Sequence, residues 1–171
     1  AWESIENAKK YFYGNGDLLS LAGIVAFKKE NLEVAEKNFL ESLEINPSNG
    51  EACFYLGSIY ARKQDWKNSG IYFVLAAYCY QRVEKALTEK IKEIEDSTFS
   101  EERKEKLISR KKAQLKKTDL TKATAFYNGA AGYFNAGMKE EALTFAQNAA
   151  LYSALKEKAE ELIVKIKERH Y

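Results

Sequence analysis

The chain has 171 residues, enough for one domain with a substantial hydrophobic core or for one short array of repeats. Hydrophobic residues make up 46% and charged residues 30%, which excludes a wholly disordered chain, and a formal charge of +2 predicts no global attraction to nucleic acid or acidic membranes. Pro47 is the only proline. Because β-rich folds depend on proline and glycine in their turns, this composition favours an all-α fold.

The two cysteines, Cys53 and Cys79, are too few for a disulfide framework or a four-ligand zinc site. We expect both to be buried thiols, and one bridge between them stays open. The longest apolar run, 71–80, is about half as long as a membrane span, and no leader-like segment opens the sequence. We therefore expect no membrane insertion by this segment. The compartment stays open: cytoplasmic, or periplasmic if a leader or lipid anchor precedes it.

The first segment, 1–13, is predicted to be a helix that Gly14 and Gly16 bring to an end. Its packing positions match those of a later helix at one constant offset. The matched pairs are Ala1 with Ala35, Ile5 with Phe39, and Ala8 with Ser42. We therefore expect the chain to begin inside a repeat, as a fragment of a longer protein. An ordinary capping helix is the alternative.

Two units of similar pattern follow, at 16–49 and 50–81. In each unit a glycine is followed twelve residues later by a small residue and then by a phenylalanine, with a polar turn between. Small residues at facing positions let two helices approach closely, and a helix pair that cannot bury its apolar face alone stacks on other pairs. The corresponding positions keep the same constant offset: Gly23 and Gly57, Ala35 and Ser69, Phe39 and Phe73, and Ser42 and Ala76.

This spacing, together with the segment YLGSIYARKQDW at 55–66, resembles the tetratricopeptide repeat (TPR) family, whose unit is a 34-residue helix–turn–helix. The resemblance covers 17 to about 80 and 122 to the C-terminus. It implies an all-α, right-handed superhelix of antiparallel helix pairs. The first helix of each pair is then expected to line a concave surface.

Thirty-nine additional residues separate the second and third units, and we predict a helical hairpin at 82–118. The helix that begins near Trp66 has no break before residue 96, which gives a length of roughly 46 Å. Ser100 is predicted to cap a returning helix, and Thr118 or Asp119 to cap a separate helix of the third unit. The apolar positions form one narrow seam: Val83, Leu87, Ile91, Ile94, Leu107, Ile108 and Leu115.

The third unit, 119–154, keeps the same internal spacing with small residues. Its packing positions are Ala130, Ala142, Ala146 and Ala149. The last segment, 155–171, predicts a helix with one apolar stripe and a Lys/Glu-rich face, as in the capping helix of an array. The stripe consists of Ala159, Leu162, Ile163 and Ile166.

The first helices of the three units are predicted to present a partner-binding surface. Five of its side chains are aromatic and lie where the packing core does not obviously need them, which is typical of an interface. The alternative is that the chain's own helices fill the groove. The predicted partner-binding residues are Ile24, Phe27, Phe54, Tyr55, Arg62, Tyr127, Asn128, Phe134 and Asn135.

One ligand class of the TPR family is not implied. TPR domains that hold the acidic tails of chaperones clamp the terminal carboxylate with Lys, Asn, Asn, Lys and Arg. At the matching places this chain has Ser20, Ile24, Tyr55, Thr124 and Asn128, and none is the required residue type. The amphipathic lining instead favours a peptide segment or an amphipathic helix of another protein.

The hairpin carries 12 Lys and Arg residues against 8 Asp and Glu residues, a local charge of +4. It is either a solvated spur or a docking arm for an acidic partner. Nucleic-acid contact is disfavoured because no recognition-module signature accompanies the basic residues. The candidate docking residues on the returning arm are Arg110, Lys111, Lys112, Lys116 and Lys117.

No residue constellation supports catalysis, a cofactor or a metal. The only histidine, His170, is the penultimate residue, and neither Asn-Gly pair resembles a phosphate loop. We therefore predict a non-enzymatic protein–protein interaction module, an adaptor or assembly scaffold. The alternatives are self-association through the open ends or the hairpin, and nucleic-acid contact through 110–117. Richness in Lys, Ile, Asn, Tyr and Phe is typical of AT-rich bacterial genomes.

Overall fold

The computed structural model describes residues 15–168, which form helices joined by turns, without a β-strand among them. The predicted all-α class is therefore confirmed for this range. The predicted half repeat at 1–13 and His170 lie outside it. The helices are α1 (Gly16–Lys28), α2 (Leu32–Ile45), α3 (Gly50–Arg62), α4 (Trp66–Glu95), α5 (Glu101–Asn135), α6 (Lys139–Ala150) and α7 (Lys156–Glu168).

Packing follows the order of the chain. Each helix packs against the next, and alternate helices also meet: α1 contacts α3, α3 contacts α5, and α5 contacts α7. Contacts between helices thus join near neighbours in sequence, which is the contact pattern of stacked helix pairs. The odd-numbered helices form one continuous row.

The N-termini of the first four helices share one capping chemistry. An Asn or Asp side chain before each of the first four helices accepts a hydrogen bond from a backbone N–H of the first turn. Such caps satisfy amide donors that have no partner within the helix. The capping residues are Asn15 before α1, Asn31 before α2, Asn49 before α3 and Asp65 before α4. Ser100 occupies the predicted N-cap of α5 but makes no side-chain capping hydrogen bond.

The turns inside the helix pairs share one backbone conformation. Glu30 and Gln64, at equivalent places in the first two units, both have a φ of 59°, and Gly137 takes the corresponding place in the third turn with a φ of 78°. The next residue in each turn donates its N–H to a carbonyl five residues earlier. These bonds join Asn31 to Ala26, Asp65 to Tyr60, and Met138 to Tyr133. A left-handed residue followed by such a bond is a common helix ending, and only the third turn has the glycine that favours it.

Glycines allow close approach at two kinds of contact. In the first two pairs a phenylalanine ring lies directly on a glycine, so a Cβ there would come within 2.7 Å of the ring. These pairs are Phe39 on Gly23 and Phe73 on Gly57. Between α4 and α5 the contact is backbone to backbone: a Cβ on Gly132 would lie 2.7 Å from the nitrogen of Gly70. This second contact fixes where the two long helices meet.

The predicted hairpin is formed by α4 and α5, which pack along each other on either side of the turn at 96–100. The helix boundary expected at Thr118 or Asp119 is wrong, because α5 continues unbroken over 35 residues from Glu101 to Asn135. The Asp119 carboxylate caps nothing and lies 3.3 Å from Nζ of Lys122, one turn further along the same helix. The returning arm and the first helix of the third unit are therefore one rod.

The hairpin seam is thinner than predicted. Ile91 and Ile94 are buried, but Leu87 and Leu115 are only half-buried and Val83 is 45% exposed. In α7 the predicted apolar stripe packs on the C-terminal core, with Ala159, Leu162 and Ile166 buried. The core itself runs along the stacked pairs and ends where the hairpin leaves them.

Candidate interaction site

A cleft of about 660 Å³ lies between α3, α4 and the returning part of α5; we call it the α3–α5 cleft. Apart from one glutamate, the side chains from α3 and α4 are aromatic or aliphatic, whereas those from α5 are polar. The cleft is therefore amphipathic, with two chemically different walls. Its lining residues are Glu51, Phe54, Tyr55, Tyr80, Val83, Leu87, Gln114, Lys117, Thr118 and Thr121.

Tyr55 is held in the cleft wall by rings of the first unit. Its ring stacks on Phe39, with centroids 5.2 Å apart, and meets Phe27 edge to face at 5.1 Å. The guanidinium of Arg62 lies 4.5 Å from the centroid of Phe27 and pairs with Glu30. Ring packing and the cation–π contact together fix the orientation of Tyr55 before any partner binds.

Phe54 and Tyr80 complete the aromatic wall. Phe54 packs edge to face on Phe73 at 5.1 Å and borders the core cluster that contains Cys53. Burial, reinforced by the charge of Glu51, raises the pKa of Tyr80 to about 12. The Tyr80 phenol therefore stays protonated at neutral pH and offers a hydrogen-bonding group beside the apolar surface.

The structure brings together only part of the predicted partner-binding set. Phe54 and Tyr55 line the α3–α5 cleft, Phe27 packs against Tyr55, and Arg62 lies over the ring of Phe27. The other five predicted residues lie outside this lining, so the nine do not form one surface around the cleft. They are Ile24, Tyr127, Asn128, Phe134 and Asn135.

The five predicted aromatic residues also serve the core. Each is half-buried and packs with one side against a cluster of buried residues, which corrects the expectation that the core does not need them. Aromatic rings on the first helix of each predicted unit lie at the boundary between the core and the groove. Helical spacing alone does not show whether such a ring packs mainly in the core or mainly in the groove. The residues concerned are Phe27, Phe54, Tyr55, Tyr127 and Phe134.

Sequence reasoning missed the α4 contribution to the cleft. Val83 and Leu87 are predicted as part of the hairpin seam, but both line the cleft next to Tyr80. The available signal is their spacing of three and four residues, which continues the face of Tyr80 beyond the end of the repeat. Which side of α4 meets α5 depends on the crossing of the two helices, and no local pattern encodes that crossing.

A buried lysine closes the base of the hairpin. Lys122 of α5 is 1% exposed, pairs with Glu84 of α4, and has Nζ 4.9 Å from the ring centroid of Tyr152 in the turn after α6. Burial lowers the pKa of Lys122, but hydrogen bonds to Glu84 and Tyr152 outweigh burial and raise it overall. Lys122 therefore stays charged at neutral pH and ties three elements together.

The two cysteines face each other between α3 and α4. Both thiols are free and buried, as expected. A hydrogen bond to Cys79 and burial raise the pKa of Cys53, while the same bond and the charge of Arg82 lower the pKa of Cys79. Their contact belongs to the helix interface and lies outside the lining of the α3–α5 cleft.

The predicted docking arm is divided between two faces of α5. Lys117 borders the α3–α5 cleft, whereas Lys112 and Lys116 border a second cleft. At 100° per residue the two lining sets lie on opposite sides of the helix. Arg110 is exposed, and Lys111 is half-buried and donates a hydrogen bond to Oε1 of Gln114 at 3.3 Å.

Comparison with known proteins does not assign the chain to a family. No protein-family model matches the chain, and no curated protein matches it. Across residues 15–168, none of the helices combines the length and the apolar character needed to cross a bilayer. The same residues contain no group of three His, Cys, Asp or Glu side chains that could hold a metal ion.

Proposed function

We propose that the chain is a TPR-like right-handed superhelix that works as a non-enzymatic protein-interaction module, an adaptor or assembly scaffold. Three features support this architecture: Asn or Asp caps before the first four helices, packing in chain order, and one turn conformation at residues 30, 64 and 137. The third turn follows the second by one unit length plus the length of the inserted hairpin. The hairpin therefore separates the second and third units of the proposed array and leaves the turn within each unit the same.

The α3–α5 cleft is the observation that carries the functional proposal. Its aromatic wall is already ordered by ring stacking, so binding loses little side-chain entropy there. A volume of about 660 Å³ holds a few side chains of a partner, on the scale of other ligand clefts. The occupant is therefore a short segment of a partner and not the face of a whole domain.

The chemistry of the walls defines that segment. Its apolar side chains face Phe54, Tyr55 and Leu87, and its polar side chains face Gln114 and Thr118 on α5. A peptide or amphipathic helix of another protein has this two-sided pattern. Glu51 and Lys117 stand on opposite walls, so their charges favour one direction of the bound segment over the other.

The test introduces charge into the cleft from either wall. Immobilised chain is used to capture partners from an extract of the source cells, and peptides of each captured protein are measured by fluorescence anisotropy. Val83→Glu and Thr121→Arg should weaken peptide binding at least about tenfold. Leu75→Glu is the matched control, because Leu75 and Val83 are both 45% exposed on α4 and only Val83 lines the cleft.

Equal binding by Val83→Glu, Thr121→Arg and the control would show that the partner uses another surface. If the chain captures only its own copies, the self-association alternative replaces the proposal. Thermal unfolding of each variant checks that the substitutions act on binding and not on folding.

A further inference from the structure

A second cleft, of about 530 Å³, lies on the face of α5 opposite to the α3–α5 cleft. Its far wall is the turn between α6 and α7. We call it the basic cleft and define it by Lys112, Leu115, Lys116 and Leu120 on α5, and Leu151 in the turn. It shares no residue with the α3–α5 cleft.

Part of the lining of the basic cleft is apolar and exposed to water. Leu120 is 51% exposed and Leu151 is 80% exposed, and both come together with Leu115 although they belong to separate elements. Single exposed leucines are ordinary, but leucines gathered around one concavity are typical of a contact surface. Leu151 lies in the turn that follows α6, and its side chain stays outside the buried core.

The rim of the basic cleft is positively charged. Lys112 and Lys116 stand on this rim, whereas Lys117 lies on the opposite face of α5. Among residues 15–168, no carboxylate lies within 4 Å of the ammonium groups of Lys112 or Lys116. Asp119, the acidic residue of the lining, pairs with Lys122, which it shares with Glu84, so the charged lining residues Lys112, Lys116 and Asp119 sum to a charge of +1.

We propose that the basic cleft docks a short acidic segment of a second protein, distinct from the segment in the α3–α5 cleft. Leucine-sized side chains of this segment enter between Leu120 and Leu151, and its Asp or Glu residues meet Lys112 and Lys116. The phosphates of a nucleic acid could pair with the lysines, but a nucleic acid has no aliphatic side chains to pack against the exposed leucines. Because the two clefts lie on opposite faces of α5, both can be occupied at once, and the chain then bridges two partners.

The probe is a fluorescein-labelled peptide about 15 residues long, with leucines at helical spacings of three and four and Asp or Glu elsewhere. Anisotropy with the full chain should show binding that weakens as salt is added. The double variants Leu120→Ser/Leu151→Ser and Lys112→Glu/Lys116→Glu should each weaken it at least about tenfold. A peptide with serine in place of leucine should not bind.

The matched control is Leu75→Ser/Lys85→Glu, which changes the same residue types in a separate cleft along α4. This control should bind the peptide as the unmodified chain does. Val83→Glu should also leave binding unchanged, so failure at the α3–α5 cleft stays distinguishable from failure here. The exposed positions chosen leave the core untouched, and thermal unfolding verifies it.

Four outcomes would overturn the proposal. One is no binding of the peptide at about 1 mM, a concentration that detects even weak docking. Another is equal binding by the cleft variants and the control. Tighter binding of duplex DNA or of phosphatidylglycerol vesicles, lost in the same variants, would assign the cleft to those ligands. Concentration-dependent dimerisation that Leu151→Ser abolishes would assign it to a second copy of the chain.

Discussion

The stacked helix pairs and the hairpin are made of equally regular helices that are held together by different means. In the pairs, rings and backbones lie directly on glycines, and the rest of the buried interior combines many alanines with larger side chains such as Leu56 and Ile59. In the part of α4 that follows Cys79 and forms the hairpin, two side chains are buried: Ile91 and Ile94. Close approach therefore holds the helix pairs together, whereas a thin apolar seam holds the two arms of the hairpin together.

The helix α5 shows the change from one mode to the other within a single rod. Its buried residues begin at Lys122 and continue to Tyr133, and the part before Lys122 has none. The helix does not break at this boundary; only its surroundings change. Lys122 marks the transition because it is buried at this boundary and pairs with Glu84 of α4 and with Asp119 of its own helix.

The largest effect is expected where two backbones touch. In Gly132→Ala the new Cβ would lie 2.7 Å from the nitrogen and 2.9 Å from Cα of Gly70, so α4 and α5 must separate. We expect the free energy of unfolding to fall by about 3 kcal/mol, measured by urea denaturation, despite the better helix propensity of alanine.

Gly57→Ala is the matched control, because its Cβ would meet the Phe73 ring, which is a side chain and not backbone. We expect it to cost about 1 kcal/mol. Equal losses in the two variants would contradict the idea that backbone contact distinguishes the α4–α5 interface.

The second effect concerns the boundary itself. Lys122→Met keeps the volume of the side chain but leaves Glu84 and Asp119 without their cation. Since both carboxylates are partly exposed to water, we expect a loss of about 2 kcal/mol, less than for a fully buried pair. Adding Glu84→Gln should recover part of this loss, and Lys85→Met, at an exposed neighbour, should be neutral. An unchanged free energy of unfolding in Lys122→Met would show that this lysine does not stabilise the base of the hairpin.

The third effect is dynamic. Because the seam is thin, backbone amides of the hairpin from about residue 85 to 112 should exchange with solvent roughly 100-fold faster than those of α3. Hydrogen exchange followed by mass spectrometry measures this difference. Ile94→Ala should increase exchange in the hairpin and leave α3 unchanged. Uniform protection along α4 would mean that the arm and the array open as one unit.

The smallest effect is a gain. Gln64 holds a left-handed conformation that glycine adopts without steric cost, as Gly137 does in the third turn. Gln64→Gly should therefore raise the free energy of unfolding by about 0.5 kcal/mol, after the entropy gained by the unfolded chain is subtracted. Gln64→Ala should bring no gain. A lower melting temperature for the glycine variant would show that the Gln64 side chain contributes contacts of its own.

Short-range signals predicted most of the fold. The glycine and phenylalanine spacing located the pairs, and the uninterrupted run after Trp66 located the long helix, which ends at Glu95. The cap expected at Thr118 or Asp119 failed because those residue types begin helices but do not break one that already runs through them. Continuation preserves every backbone hydrogen bond, and Asp119 makes its contact with Lys122 instead.

The candidate site was less predictable than the fold. Phe54 and Tyr55 came from the repeat register, whereas the α4 and α5 walls depend on how two long helices cross. The basic residues of the arm were visible in sequence as one group. Their division between two clefts follows from the rotation of α5 relative to its neighbours.

By itself, the sequence determined what depends on residues within about one helical turn of each other: the helices, their caps and their turns, together with the regular spacing at which these recur. The tertiary structure alone decided which rings face the core, which lysine is buried and which leucines stay open. These outcomes depend on side chains that are distant along the chain, since burial is a property of the packed neighbours and not of the residue.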